Sequence, residues 1–416
     1  MVDRPFLTAH LPGIGGTIKG TPEDFRVDEI PAYLPCGEGE HLYVRIEKRG
    51  ITTREAIRRL SRHLGIRERD VGYAGLKDAR GVTTQFLSVG RIHPGKVLGV
   101  ELPGIRVLDA ARHTNKLRVG HLQGNRFRVT IRTPTGDRAR AEAILSLLET
   151  RGVPNYFGDQ RYGVRGNSGG IGRALITGRY RDAVETLIGS ADGVGHDGWS
   201  RALALVRQGM LSEALEAFPP FCDTEKGVIR SLISHPGDYH RALRGIDPRL
   251  LSLFLSAAQS EFFDAVVARR IELDLFDRFL PGDIAILHRN GACFRVEDPA
   301  AEQSRLDSLQ ISPTAPLIGD EVMTPEGEAL RLETSIADQC GVSLNQRISF
   351  GRTTLPGERR GIRIPVRDVT IDSDAPDLTV SFTLPRGGYA TTLLRELMKV
   401  GVYNDHTGAT LADGSP

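Results

Sequence analysis

The sequence predicts an α+β fold on three observations. Strand-type alternation and glycine-marked turns dominate residues 14–133. A helical pattern takes over from about 173 to 270. Short strands follow from Asp283, and basic alternating segments return at 357–369 and 378–384, before a last helix. Strands and helices that come in separate runs are the mark of this class. At 416 residues, the chain is too long for one ordinary core; at about 150 residues per domain, two or three domains are expected. Apolar residues make up 40% and charged residues 25%, which suits a soluble globular protein with a sizeable core.

Residues 14–30, IGGTIKGTPEDFRVDEI, read as a strand, a turn at Gly20-Thr21-Pro22 and a second strand from Phe25 to Ile30. Phe25 is most simply a core aromatic and Lys19 a surface lysine. A loop, Cys36 to His41, leads into Leu42-Tyr43-Val44-Arg45-Ile46-Glu47-Lys48, whose alternation is that of a half-buried strand. His41 is a possible base, but a lone histidine beside a strand is more often structural. Thr52-x-x-Glu55 is a capping box that opens a helix with a buried stripe of Ala56, Ile57, Leu60 and Leu64, and Gly65 is its expected stop. Arg54, Arg58, Arg59 and Arg62 occupy its other faces, either solvated or laid along a phosphate backbone.

Gly72 to Gln85 follows as strand, charged turn, strand, with Lys77, Asp78 and Arg80 at the tip. Opposite charge nearby favours an ionised carboxylate, and an ionised carboxylate is what nucleophilic catalysis needs. The plainer reading of Asp78 in a D-x-x-G turn is a turn residue. Further on, Gly124-Asn125-Arg126-Phe127-Arg128-Val129 alternates cationic and apolar residues, giving one buried and one basic face. Asn125 opens that strand, where its amide suits either a backbone turn or a base edge.

Arg140–Thr150 is an amphipathic helix. Asn155-Tyr156-Phe157-Gly158-Asp159-Gln160-Arg161-Tyr162-Gly163 interleaves aromatics with Asn, Gln and Arg, which suits RNA bases stacked on rings or guanidinium planes; the alternative is a glycine-punctuated loop with buried aromatics. Gly166 to Gly172 mimics a nucleotide-cofactor loop but lacks the preceding buried strand that such a loop requires. Helices are expected at 183–188, 201–215, 227–234, 239–243 and 248–271, the last with Gln259 and Ser260 inside it. Strands are expected at 284–288, 293–296 and 330–332, then at 357–369 and 378–384, with a helix at 393–400.

Net charge is only +2, yet residues 41–133 hold 20 Lys and Arg against 7 Asp and Glu, a net of +13 that leaves −11 for the rest. A basic block of that size is the footprint of a polyanion partner, with nucleic acid favoured over a merely solvated surface. The four cysteines are far apart and form no C-x-x-C or Cys/His cluster, so neither zinc nor a disulfide framework is indicated. With no apolar run near the roughly 18 residues of a membrane span and no leader-like N-terminus, a cytoplasmic protein is expected.

These pieces converge on one resemblance. Gly75-Leu76-Lys77-Asp78-Ala79-Arg80-Gly81-Val82-Thr83 is similar to the signature of the TruD family of tRNA pseudouridine synthases. Pro22–Glu29, Gly37–Leu42, Gly124–Arg128, Asn155–Gly163, Gln259-Ser260 and Leu384–Thr391 resemble that family's other blocks, in the family's order and over nearly the whole chain. The resemblance implies a pseudouridine-synthase catalytic domain with a mixed, largely antiparallel sheet. It would be formed by residues 1–163 and 356–416 and interrupted by an inserted α/β domain at 164–355, with tRNA held in the cleft. It implies conversion of uridine 13 in the tRNA D-arm to pseudouridine, without cofactor or metal. Asp78 falls at the family's catalytic aspartate, acting on the sugar C1′ or on a ribose proton. Lys19 matches an active-site lysine that would pair with Asp78, with Lys77 and Arg80 as alternatives. Phe25, Asn125 and Tyr389 match residues that contact the target nucleotide; Tyr389 replaces the Phe of other members, so its added hydroxyl needs a partner. Arg54, Arg58, Arg126, Arg128 and Arg161 are the candidates for binding RNA. No membrane partner is implied, and a monomer is expected. A tRNA-binding protein or chaperone without chemistry is the alternative, and a methyltransferase is disfavoured by the failed cofactor loop.

Overall fold

The computed structural model describes residues 3–163, 165–189, 196–374 and 376–400. The expected second part of the catalytic domain, 356–416, thus ends in residues 401–416 that lie outside the described residues. The chain forms two compact units. One takes Leu7–Val153 and resumes at Ile364; the other takes Pro154–Arg363 with the residues before Leu7.

The first unit is built on a nine-stranded sheet. Its strands are β1 (Phe25–Pro31), β2 (His41–Arg49), β3 (Gly72–Tyr73), β4 (Val82–Gly90), β5 (Glu101–Leu102), β6 (Ile105–His113), β7 (Leu122–Ile131), β8 (Arg367–Asp374) and β9 (Asp377–Pro385). The order is β8-β9-β7-β1-β4-β2-β6-β5, with β3 added on β4. Only β1 and β4 run parallel, with Arg26 beside Val82; the other pairings are antiparallel. Alternation along β2 and β4 places Leu42, Val44, Ile46, Leu87 and Val89 on one face. Helix α1 (Thr53–Leu64) covers that face with Ala56, Ile57 and Leu60, each worth about 1.5–3 kcal/mol when a large apolar side chain is fully buried, and less for alanine. Thr52 Oγ1 caps the helix by accepting from Glu55 N, and Gly65, at φ 67°, ends it. The capping box is half made: the Glu55 carboxylate turns to Arg58 and Arg59, both at 2.5 Å. Helix α2 (Arg138–Arg151) and helix α3 (Ala390–Met398) complete the unit.

Four sequence expectations need correction. The strand foreseen from residue 14 reduces to a single bridge, Thr17 to Arg132, because positive φ at Gly15, Gly16 and Lys19 diverts the backbone on both sides. The first strand of the Gly72–Gln85 stretch is only two residues long, β3. The 357–369 strand is three pieces: Glu358–Gly361 pairs with Ile311–Leu317 in the second unit, Arg363–Ile364 is a two-residue strand of its own, and Arg367 begins β8 in the first unit, after Pro365, which has no N–H for a ladder. Leu330–Leu332 lies inside a helix, Gly327–Cys340, whose buried Ala329, Glu333, Ile336 and Ala337 recur at helical spacing.

The second unit is organised on the helix Pro248–Glu272. That helix is apolar and long enough to cross a membrane, but most of it is buried and it acts as a core helix. Its buried Asp264 is a polar brace: it accepts from Phe157 N at 3.1 Å and Tyr162 Oη at 2.7 Å, and pairs with Arg4 at 2.8 Å. Burial pushes this carboxyl up to about 6, against the opposing pull of Arg4 and its hydrogen bonds. A four-stranded antiparallel sheet lies in the same unit, ordered Cys293–Arg295, Ile284–Leu287, Ile311–Leu317, Glu358–Gly361. The cofactor-like glycines belong to helix packing. In helix Ser168–Ile176, a Cβ on Gly172 would fall on the Phe254 carbonyl of the long helix. Gly172→Ala is therefore expected to lower stability by about 1–3 kcal/mol through overpacking, read as a lower thermal midpoint by circular dichroism. An unchanged midpoint would show that the two helices have room to part.

Candidate active site

The residues around Asp78 are held from several elements of the first unit. Asp78 lies in the irregular loop between β3 and β4, and among the described residues its carboxylate has two donors. Lys19 Nζ sits 2.5 Å from Oδ2, and Arg80 N donates to Oδ1 at 3.0 Å. Lys19 reaches it from a residue at φ 60°, two positions after the Thr17–Arg132 bridge. The next turn is tied by Asp24, which accepts from Thr21 N at 2.9 Å and from the Arg132 guanidinium. Burial acts to raise the Asp24 carboxyl, but Arg132 and Thr21 together hold it below the usual range. The Phe25 ring is buried, lies edge-on to Phe127 at 6.2 Å, and carries Lys19 Nζ 4.4 Å from its centroid.

The loop itself is latched at successive residues. Gln85 Nε2 donates to Gly75 O at 3.3 Å. Thr53 Oγ1 accepts from Lys77 N and donates to Gln85 Oε1, both at 2.9 Å. Lys48 Nζ donates to Asp78 O at 2.5 Å and to Ile51 O at 2.8 Å. Gly81 O accepts from Gly50 N at 3.1 Å. Gly81 must be glycine for this approach, because a Cβ there would stand 2.5 Å from Phe25 O. Such multiple fixing is how a protein holds a reactive group without reorganisation at the moment of reaction.

Lys77, an alternative partner for Asp78 on sequence grounds, points elsewhere. Its buried Nζ lies 2.8 Å from Glu29 Oε2 and donates to Asn125 Oδ1 at 2.7 Å. Glu29 Oε1 also accepts from Phe86 N at 3.1 Å, where the β1–β4 ladder has stopped. Asn125 is opposite Glu29 on β1 and opposite Leu384 on β9. Tyr389 is the N-cap residue of α3, five positions after Leu384, and is half-buried. The structure thus places Lys19 against both the Asp78 carboxylate and the Phe25 ring, and ties Asn125 to Lys77, the residue before Asp78. His41 starts β2 at the end remote from Lys48, roughly 20 Å away at about 3.3 Å per residue, too far to serve Asp78 as a base.

Among the RNA-binding candidates, Arg54, Arg58, Arg126 and Arg128 are exposed on this unit, with Arg58 beside Glu55 and Arg128 at 3.0 Å from Asp372. Arg161 belongs to the other unit, half-buried over the Phe157 ring at 5.1 Å. Tyr156, Phe157 and Tyr162 are buried, so the aromatic motif around Arg161 is core and not a stacking platform. Gln259 is likewise a brace, donating to Ile318 O and Pro356 O.

Sequence reasoning missed Lys48, Glu29, Thr53 and Gln85. For the first two a signal exists. Glu29 continues the buried face of Phe25 and Val27, and Lys48 that of Leu42, Val44 and Ile46. A charged residue on an apolar register must be paired or hydrogen-bonded.

Nearly the whole chain is similar to known proteins of one family. The family model described as tRNA pseudouridine synthase D (TruD) matches residues 1–397. The tRNA pseudouridine synthase D of Geobacter metallireducens is 52% identical over 400 residues, covering 96% of this chain and 98% of its own. That of Geotalea daltonii is 50% identical, covering 95% and 100%. A crystal structure of a TruD protein from Methanosarcina mazei superposes with TM-score 0.82 at 29% identity, covering 96% of both chains. The chain belongs to the TruD family of tRNA pseudouridine synthases.

Proposed function

We propose that this chain, a tRNA pseudouridine synthase by family, converts uridine 13 of the tRNA D-arm to pseudouridine with Asp78 as its catalytic carboxylate. The observation that carries the reading is the Asp78 carboxylate itself, bound on one oxygen by Lys19 Nζ and on the other by Arg80 N, on a loop latched through Lys48, Thr53 and Gln85. The choice of position 13 rests on the family resemblance of the Gly75–Thr83 stretch. In this reaction the N1–C1′ bond breaks, a C5–C1′ bond forms, C5 gives up a proton and N1 gains one. The product is an isomer of the substrate, so no redox cofactor is called for. Asp78 acts on the ribose side, by attack at C1′ or by removing a ribose proton; both routes need this carboxylate at the sugar of a base that has left its stack. Tyr389 supplies a stacking surface, worth about 1–3 kcal/mol per base. Phe25 acts at the nucleotide largely through the Lys19 it supports. Asn125 meets the base edge. Arg54, Arg58, Arg126, Arg128 and Arg161 contact phosphates, so binding weakens with salt. The working form is a monomer acting on tRNA in the cytoplasm.

The test is incubation of the purified chain with an unmodified tRNA transcript, without added cofactor, followed by chemical mapping of pseudouridine. Product at position 13, lost when that uridine is replaced, is the expected result. Tight tRNA binding with no product would sink the reading.

A further inference from the structure

We propose that the buried Glu29–Lys77 pair locks the Asn125 amide with its oxygen inward, so that Asn125 meets the turned-out base only as a donor and thereby selects uracil over cytosine. The proposal rests on the reading that Asn125 faces the target nucleotide. It adds the device that sets which edge of the base is accepted, and it gives Lys77 a positioning role.

An amide has a donor end and an acceptor end, and a flip exchanges them. A lysine ammonium only donates, so Lys77 Nζ at 2.7 Å demands the oxygen of Asn125 and excludes the NH2 group. Lys77 is itself fixed. Its side chain is 4% exposed and that of Glu29 1%, with 2.8 Å between Nζ and Oε2. Glu29 has no freedom to swing, since its other oxygen accepts from Phe86 N. Glu29 and Asn125 are direct partners across the antiparallel β1–β7 ladder, so their side chains share one face of the sheet. Among the described residues, Asn125 Nδ2 has no acceptor. What the site offers the base is an amide NH2.

Uracil chemistry suits that offer. A half-turn about the axis through N3 and C6 exchanges N1 with C5, which is the exchange the reaction makes, and it exchanges O2 with O4. A donor that holds one carbonyl before the turn therefore meets the other carbonyl after it. In the entering orientation the Asn125 NH2 meets O4; cytosine has an amine in that place, so it confronts the amide with a second donor before any turn. A polar group left facing a like group in a water-poor site loses its hydrogen bond and its hydration.

Discrimination is measured as the ratio of dissociation constants for two tRNA transcripts, one with cytidine and one with uridine at the target position. The measurement uses the Asp78→Asn protein, so that neither is turned over, and wild-type turnover of the uridine transcript is assayed in parallel. The parent protein is expected to favour uridine. Adding Lys77→Met frees the amide to turn and should bring the ratio down by about tenfold. Adding Asn125→Asp keeps the shape and the Lys77 contact but presents an oxygen to the base, and should invert the preference towards cytidine. A general loss of structure would weaken both transcripts together and leave the ratio alone. The second variant keeps the test decisive if Lys77→Met, which strands Glu29, fails to fold. Wild-type turnover with an unchanged ratio in the folded variants would overturn this proposal alone. An inactive wild type would overturn the functional reading on which it stands.

Discussion

Asp78→Asn is expected to abolish pseudouridine formation, by about 10,000-fold or more, while tRNA affinity should stay close to wild type because phosphate contacts supply most of it. The substitution is nearly isosteric. The side-chain oxygen still accepts from Arg80 N, and Lys48 still holds the backbone carbonyl, so the loop keeps its course. What disappears is the charge and nucleophilicity of the carboxylate that Lys19 faces at 2.5 Å. The measurement is single-turnover conversion of a tRNA transcript, with filter binding and circular dichroism as controls. A tRNA-binding protein without chemistry would have no turnover to lose and would tolerate the change, so the same experiment separates the two classes of function.

Lys19→Met tests the other half of the ion pair. Among the described residues it leaves Arg80 N as the donor to Asp78, and it removes the cation from the Phe25 ring. A preorganised charge at a reacting group is typically worth about 100- to 1,000-fold in rate, and turnover in this variant is expected to fall by that order. A loss as large as that of Asp78→Asn would instead mark Lys19 as indispensable to the chemical step.

Much of this site can be read from the chain, and the unread part has a physical reason. Strands β1, β2 and β7 show in their period-two alternation, β4 in its β-branched and aromatic residues, and α1 in its Thr52 cap and Gly65 stop. Glu29 and Lys48 sit on the buried register of their strands, which marks them as buried charges. Their partners leave a weaker trace. Lys48 binds two backbone carbonyls, which any sequence possesses, and Lys77 skips its neighbour Asp78 for two residues, Glu29 and Asn125, each 48 positions away from it. Composition misleads at Tyr156, Phe157 and Tyr162, because aromatics beside Asn, Gln and Arg describe an RNA loop and a braced core equally well. Asp264, 102 residues beyond Tyr162, decides for the core. Helix Gly327–Cys340 escaped because a short Leu-Arg-Leu run satisfies a strand pattern locally, and only the wider spacing of Ala329, Glu333, Ile336 and Ala337 shows the helix.

Lys48→Met is expected to slow turnover by about 100-fold at neutral pH, the cost of a misplacement of roughly 1 Å at a reacting group. Lys48 is fully buried at the exit of β2, and its Nζ ties Asp78 O to Ile51 O. Burial pushes its ammonium down to about 8, opposed by the charge of Asp78 and assisted by that of Lys77. In the unfolded chain a lysine titrates near 10.4. Below pH 8 both states hold the proton and the native protein bears the full cost of the buried charge. Between about 8 and 10.4 the unfolded chain binds the proton that the native protein has released, so the stability contribution of Lys48 rises with pH, by roughly 3 kcal/mol over the window. The methionine variant lacks this term and leaves two buried carbonyls without their donor, at about 1–3 kcal/mol each. Urea denaturation of both proteins at pH 7 and pH 10 reads the difference, since other titrating groups cancel. The advantage of the wild type should widen with pH; an advantage that narrows would mean that the charge of Lys48 stabilises the fold. A neutral amine still carries two N–H bonds for the two carbonyls, so wild-type turnover should pass through pH 8 without collapse, whereas the variant is slow on both sides of it. A tenfold wild-type fall through pH 8 that is absent in Lys48→Arg would show that Asp78 depends on the charge of Lys48 and not on its hydrogen bonds.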